Sequence, residues 1–324
     1  MRYVSESKEM PKDVMYTQSR RNKRRYSFLL MSFVFLCVIV WFIGSYAINN
    51  FRQTEPQSIG HIAYAAMPTP TQEFTSADNS APKSTQAVSQ TLTFNQLAKL
   101  SNNHLLLVNN YYRVPSDISL ELVNVRDYVW TLNANLLMNR NALEMLREMF
   151  ASAANAGHSA FRVTEGYRTY EQQMLLYDSA TDLSFVARPG HSEHHTGLAA
   201  DISYHGVNIA NSVQGSWLME NSYRYGFILR YPMHKTDITG FPFEPWHYRF
   251  VGHPHAYFMH RNDFVLEEYI DHLRKRGQIS ILTDGTNYTV LYLTSADEAI
   301  EIPINYLFSA SLDNTGGIIV TVWP

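Results

Sequence analysis

The chain has 324 residues, of which 45% are hydrophobic, 17% charged and 13% aromatic, and its net charge is −3. That apolar content excludes a wholly disordered chain, and the near-neutral balance excludes nucleic-acid binding through bulk charge. The single cysteine, Cys37, excludes an internal disulfide framework and a multi-cysteine zinc site, whereas thirteen histidines leave metal chemistry open.

The net charge averages two unlike parts. Residues 1–27 carry eight Lys/Arg against three Asp/Glu, net +5, and the remaining residues carry 18 against 26, net −8. The parts meet at an uncharged apolar run, 28–48. A bilayer core takes about 20 helical residues, and lipid obliges a backbone to satisfy its own polar groups, so the run is predicted to be a transmembrane helix. Arg20, Arg21, Lys23, Arg24 and Arg25 precede it, and Arg52 is the only nearby basic residue after it. This asymmetry predicts a cytoplasmic basic arm, 1–27, with everything beyond the helix extracellular. A cleaved signal peptide is the alternative, but the run exceeds the roughly 7–15 apolar residues of such signals. Residues 49–92, rich in Ser, Thr, Pro, Gln and Ala, have too few large apolar groups to order themselves and read as a flexible extracellular linker.

Globular patterning follows, in a domain predicted over 93–277 and a small β appendage over 278–324. Residues 104–125 read as extended segments broken at Pro115. A helix is expected over 139–156, with Leu143, Leu146, Phe150, Ala153 and Ala154 on one stripe and Gly157 as its stop. A strand is expected over 161–164. Thr169 and Gln172 form a capping-box pair opening a helix to about Ser179. Strands are expected over 199–203, 227–231 and 246–251, and a helix over 216–225. Asp263 is a candidate N-cap for a helix that ends at Gly277 and turns Leu266, Tyr269, Ile270 and Leu273 inward. Asp284-Gly285 between alternating apolar residues predicts a hairpin, and 318–323 a further strand. The tail could be its own unit or extra strands on the main sheet.

Two segments concentrate metal-ligand residue types. One runs Pro189-Gly190-His191-Ser192-Glu193-His194-His195-Thr196-Gly197-Leu198-Ala199-Ala200-Asp201, the other Phe243-Glu244-Pro245-Trp246-His247-Tyr248-Arg249-Phe250-Val251-Gly252. Catalytic zinc takes three protein ligands and leaves a fourth position open. His194, Asp201 and His247 supply two imidazoles and a carboxylate. Gly197 allows the chain to turn between the first two, and the small Ala199 and Ala200 let a strand sit close to its neighbours. Glu244 precedes His247 by three residues, and Pro245 breaks regular strand there, so carboxylate and imidazole can face one metal. Each segment alone reads more simply as a packed loop; the combination is specific.

The pattern Ser192-x-His194-x-x-Gly197-x-Ala199-x-Asp201 with Glu244-x-x-His247 resembles the zinc D-alanyl-D-alanine carboxypeptidases of the VanY type. Gly166-Tyr167-Arg168-Thr169-Tyr170, the segment from Tyr225 to Tyr231, and Leu266-Glu267-Glu268-Tyr269 are similar to further blocks of that family. The likeness spans about 104–275. It implies His194, Asp201 and His247 as ligands of Zn²⁺, Glu244 as catalytic base, Arg168 as oxyanion and substrate holder, and Ser192 and Gln173 as substrate contacts. It also implies an α+β fold in which a small antiparallel sheet with packed helices carries the zinc site, as in D,D-peptidase and Hedgehog-like domains. Two departures stand out: Glu165 where the family often has Ser, and His195 where Gln is common. Tyr248 and Trp246 are expected in the wall of the site or just behind it.

The resemblance implies a D,D-carboxypeptidase that removes the terminal D-alanine from peptidoglycan stem peptides, with a role in vancomycin resistance, and the apolar run 28–48 predicts that it is membrane-anchored. Its partners are then stem peptides or their precursors and the membrane, with no nucleic acid. The alternatives are an L,D-carboxypeptidase acting on tetrapeptide stems and a non-catalytic cell-wall-binding protein.

Overall fold

The computed structural model describes residues 88–205 and 209–324. The expected arm, transmembrane run and most of the linker lie outside these residues. Among the described residues no helix is long and apolar enough to cross a membrane.

In chain order, β1 (Ser89–Thr93) leads into α1 (Phe94–Lys99), followed by β2 (Leu122–Asn124), β3 (Leu137–Asn139) and α2 (Arg140–Asn155). Next come β4 (Phe161–Glu165), α3 (Tyr170–Ser179), β5 (Ala199–Tyr204), α4 (Val213–Asn221), β6 (Phe227–Leu229), the single turn α5 (Thr236–Thr239) and β7 (His247–Phe250). Helices α6 (His255–Asn262) and α7 (Leu266–Arg276) precede the closing strands β8 (Gln278–Thr283), β9 (Thr286–Leu293), β10 (Ala299–Pro303), β11 (Leu307–Leu312) and β12 (Ile318–Trp323).

The central sheet is antiparallel, in the order β4-β5-β7-β6. Helix α2 covers it. Ala142, Leu143, Leu146, Met149 and Ala153 recur at helical spacing and are buried, packing in one core with Val163, Ala200, Ile202, Phe227, Tyr248 and Phe250 of the strands. The buried stripe is rotated slightly from the expected one: Ala154 faces solvent, and Met149 takes the inward place.

The tail forms a second antiparallel sheet, β11-β12-β9-β8, rather than an extension of the first. Helix α7 joins the two. Its Leu266, Tyr269, Ile270 and Leu273 touch a cluster containing Ile281, Val290 and Ile319 of the tail together with Ile228 and Val251 of the central sheet region. The chain's start is tied in as well. β1 pairs with β10, Ser89 opposite Pro303 and Thr93 opposite Ala299, and Leu97 of α1 is buried with Ile302 and Val320. The linker boundary expected at residue 92 therefore falls inside a paired strand. Single-strand composition could not reveal this, because the partner lies some 200 residues away.

Three further expectations are corrected. Asp263 does not start α7. It sits at the left-handed C-terminal cap of α6, with φ 53°, a conformation Asp tolerates better than most residues. Helix α7 instead starts after Val265, whose N–H donates to the Glu268 carboxylate at 3.0 Å. Within 104–125 only β2 is a strand. The preceding stretch Leu105, Leu106, Leu107 and Val108 is buried without strand pairing, the Leu105 N–H donating to Ser311 Oγ (2.9 Å) and the Leu107 N–H to Asp313 O (3.1 Å). Finally, α4 begins at Val213, with Ser212 as its cap, and 222–225 is a 3₁₀ turn.

Because Ile270 is buried where both sheets meet α7, Ile270→Ala should destabilise the whole unit. The expected loss is about 2–5 kcal/mol, read from the denaturant midpoint followed by circular dichroism. A loss below about 0.5 kcal/mol, the size of an ordinary surface change, would contradict a shared core.

Candidate active site

The cross-strand register of the central sheet does most of the assembly. β5 and β7 pair with Asp201 directly opposite His247. Side chains opposite one another share a face of the sheet, and the His247 Nδ1 stands 3.0 Å from Asp201 Oδ1. His194 arrives from the other direction. Residues Glu193–Thr196 form a 3₁₀ turn capped by the Ser192 hydroxyl, which accepts from the His194 N–H. Gly197 ends the turn in the left-handed region at φ 69°, where a Cβ would lie 2.6 Å from Leu122 Cδ2. The chain then enters β5, and His194 Nε2 is left 3.5 Å from Asp201 Oδ1.

One ligand atom from each of His194, Asp201 and His247 can be chosen so that all lie within 4.8 Å of one another. The remaining ring nitrogens are engaged behind them. His194 Nδ1 lies 2.7 Å from Gly166 O, and His247 Nε2 lies 3.3 Å from Glu193 Oε2. A carbonyl or carboxylate behind each imidazole, with the other nitrogen turned to a common point, is the outer support that metal-binding histidines take. Two imidazoles and one carboxylate with an open side fit a catalytic zinc ion.

Electrostatics separate the carboxyls by role. Burial would raise Asp201, but His194 and His247 beside it outweigh that and hold it well below the usual carboxylate range. Glu244 is shifted the other way. Burial raises it; the nearby His247 opposes this, while Asp201 and Glu193 add to it, leaving the pKa at about 7. Its Oε2 is 3.9 Å from His247 Nδ1. His247 itself is buried, which disfavours charge, yet its hydrogen bonds to Asp201 and Glu193 hold its pKa well above the usual imidazole value.

These groups line a cavity of about 170 Å³, with Arg168 and Ser192 on its wall and Leu176, Phe185 and Trp246 also lining it. Arg168 is held by Gln173 Oε1, which accepts from its Nη1 at 2.7 Å, and by Glu165 Oε2, which accepts from its Nη2 at 3.2 Å. Helix α3 starts with the Thr169–Gln172 capping box expected from sequence, and this fixes the segment on which Arg168 sits.

Some expected site residues do other work. Gln173 lines the cavity, and its buried amide also orients Arg168, its Oε1 accepting from the arginine and its Nε2 donating to Ala187 O at 2.7 Å. Glu165, half-exposed, pairs with Arg168. His195 accepts from the Gly190 N–H at Nε2, which leaves Nδ1 to donate to Arg168 O. It braces the backbone of the arginine without facing the ligand trio. Tyr248 lies in the core rather than on the wall, whereas Trp246 does line the cavity. Sequence reasoning missed Glu193, Arg230 and Arg249, which form a buried charged cluster behind His247. A signal existed: Arg230 and Arg249 each interrupt an apolar strand segment, and a charge there needs a buried partner.

Residues 135–253, which contain all of these ligand positions, match VanY, the D-alanyl-D-alanine carboxypeptidase family. The chain is 35% identical over 229 residues to a D-alanyl-D-alanine carboxypeptidase of Enterococcus faecium, covering 68% of this chain and 75% of that protein. It is 36% identical over 189 residues to the putative carboxypeptidase YodJ of Bacillus subtilis, covering 53% and 69%. Among solved structures it is similar to the vancomycin-resistance D,D-dipeptidase VanXYg in complex with a D-Ala-D-Ala phosphinate analogue. That likeness has a TM-score of 0.65 and 28% identity, and it covers 73% of this chain and 100% of that one.

If the three ligand atoms act together, removing one should do more damage than removing an outer partner, which costs about 10–100-fold in metal affinity. Asp201→Ala is expected to lose zinc affinity beyond that range, with wild type binding one ion per chain, as read by titration calorimetry. Unchanged stoichiometry and affinity would contradict the trio.

Proposed function

The chain belongs to the VanY family of zinc D-alanyl-D-alanine carboxypeptidases, and we propose that it removes the C-terminal D-alanine from peptidoglycan stem peptides ending in D-Ala-D-Ala. The observation that carries this reading is the convergence of His194, Asp201 and His247, with Glu244 and Arg168 on the same cavity.

His194 Nε2, an Asp201 carboxylate oxygen and His247 Nδ1 would hold the zinc ion. When bound, zinc supplies Lewis acidity, polarising the scissile carbonyl and lowering the pKa of the attacking water. Glu244 is the base. Its carboxylate sits at the cavity without being one of the three ligands, and a pKa near 7 suits a group that must both accept and return a proton. It takes one proton from the attacking water and delivers it to the amine of the departing D-alanine. Water adds across the peptide bond, and no other reactant is needed.

Arg168 has a permanent positive charge and two fork nitrogens fixed by Gln173 and Glu165. It attracts negative charge on the substrate, both on the terminal carboxylate and on the oxygen that gains charge at the transition state. Ser192 lies on the same wall, within reach of a bound peptide. Loss of the terminal D-alanine removes the end that vancomycin-type drugs recognise, so the reading extends to glycopeptide resistance.

The apolar run 28–48 anchors the chain with its N-terminus inside, and the polar stretch that follows lets the enzymatic part work on the outer side of the membrane. Fractionation of cells making the full chain should recover it with membranes, and protease added to intact protoplasts should remove the enzymatic part. Recovery in the soluble fraction would contradict the anchor.

Glu244→Gln should retain zinc while kcat/KM on a defined pentapeptide stem falls by about 10²–10⁴-fold. In wild type the base must be deprotonated, so activity should fall as pH drops through its pKa. The cation lowers that pKa, which places the acidic limb at or below about 7. Mass spectrometry of the products reads both effects. Full activity in Glu244→Gln would overturn the mechanism, and D-alanine release from tetrapeptide stems alone would overturn the substrate.

A further inference from the structure

Glu193 stands between Ser192 and His194, and its side chain has no solvent exposure. Oε1 accepts two hydrogen bonds, from Arg230 Nε and from Arg249 Nη1, both at 2.8 Å. Oε2 faces His247 Nε2 at 3.3 Å. Arg230 uses its other two nitrogens on Glu267 of α7, Nη1 to Oε2 at 2.9 Å and Nη2 to Oε1 at 2.7 Å. Arg249 spends Nη2 on the carbonyls of His104 (3.1 Å) and Leu106 (3.0 Å). Asn109 completes the set, its Nδ2 donating to Glu267 Oε1 at 3.0 Å. Two cations face two anions, and the cluster is neutral.

Stability alone is a poor reason for such a cluster. Taking ions out of water is costly, and well-packed apolar groups of similar volume commonly serve as well or better. What an apolar replacement could not supply is the hydrogen bond to His247. A neutral imidazole has one N–H and one lone pair. For Nδ1 to offer its lone pair beside Asp201, the proton must sit on Nε2, and a carboxylate opposite Nε2 selects that tautomer. The two arginines matter as much. A carboxylate this close to three metal-binding side chains could swing round and fill the open coordination position. Two guanidinium donors on Oε1 hold it behind His247 instead.

We propose that Glu193 is a positioning residue: clamped by Arg230 and Arg249, it fixes His247 with Nδ1 directed to the metal and is itself kept from becoming a ligand. Arg230 also joins the cluster to α7 through Glu267, but among the described residues Glu267 meets only Arg230 and Asn109 and does not face His247. The inference rests on the metal-site reading given above.

Glu193→Gln and Glu267→Gln separate this role from a merely structural one. Both remove one negative charge from the same buried cluster, but only the first alters the group facing His247. Glu193→Gln is expected to weaken zinc binding by about 10–100-fold, measured by competition with a chromogenic chelator. Glu267→Gln is expected to lower the melting temperature and leave zinc affinity unchanged. Equal effects of the two variants on zinc affinity, or none from Glu193→Gln, would overturn the proposal. Should Glu193→Gln fail to fold, ¹⁵N correlation spectra of the zinc-loaded wild type decide. The proposal requires the His247 proton on Nε2, and a proton on Nδ1 overturns it. A wild type that binds no zinc at all would overturn the metal-site reading itself, an outcome distinct from either variant's result.

Discussion

The site depends on one register. In the pairing of β5 with β7, Asp201 lies opposite His247, and these two side chains are two of the three that converge. A slip of one residue by either strand would turn its own ligand to the other face of the sheet, away from its partner. The register is locked from the far face, where Ala200 and Tyr248 are wholly buried in the core under α2. Packing on one side of the sheet therefore fixes chemistry on the other. His194 is brought in by a different device, a 3₁₀ turn ended by Gly197 in a conformation and a space that leave little room for a side chain.

Within this frame, identical functional groups acquire opposite properties from their neighbours. Asp201 is flanked by two imidazoles and stays ionised, as a ligand must. Glu244 is buried close to two carboxylates and is pushed toward neutrality, as a proton carrier should be. Glu193, fully buried, is held ionised by two arginines that more than offset its burial. Three carboxyls thus occupy one small region in two electrostatic states, Asp201 and Glu193 held ionised and Glu244 pushed toward the neutral form. The difference comes from which cations each one touches rather than from residue type.

Much of the site was readable in the sequence because it is local. The two ligand-bearing segments, the capping box before α3, the stripe of α2 and the Asp284-Gly285 hairpin each depend on residues a few positions apart, where helix, turn and strand geometry impose their periods. What escaped notice depends on long separations. The pairing of β1 with β10, the anchoring of the tail on α7 and the Arg230–Glu193–Arg249 cluster join segments tens to hundreds of residues apart, and no local period encodes them. Asp263 shows a different limit. Aspartate favours both helix starts and left-handed turns, and here the preceding helix α6 took it for its end. Gln173 illustrates a third. Its segment pointed to the cavity, but only the structure reveals that Arg168 and Ala187 use both ends of its amide.

The central claim is that His194, Asp201 and His247 gather one metal ion. Anomalous diffraction from zinc-soaked crystals, collected on both sides of the zinc absorption edge, tests it directly. The expected result is one strong peak about 2.0–2.1 Å from His194 Nε2, an Asp201 oxygen and His247 Nδ1, with Glu193 remaining on Arg230 and Arg249. A peak elsewhere, or coordination through His247 Nε2, would contradict the account.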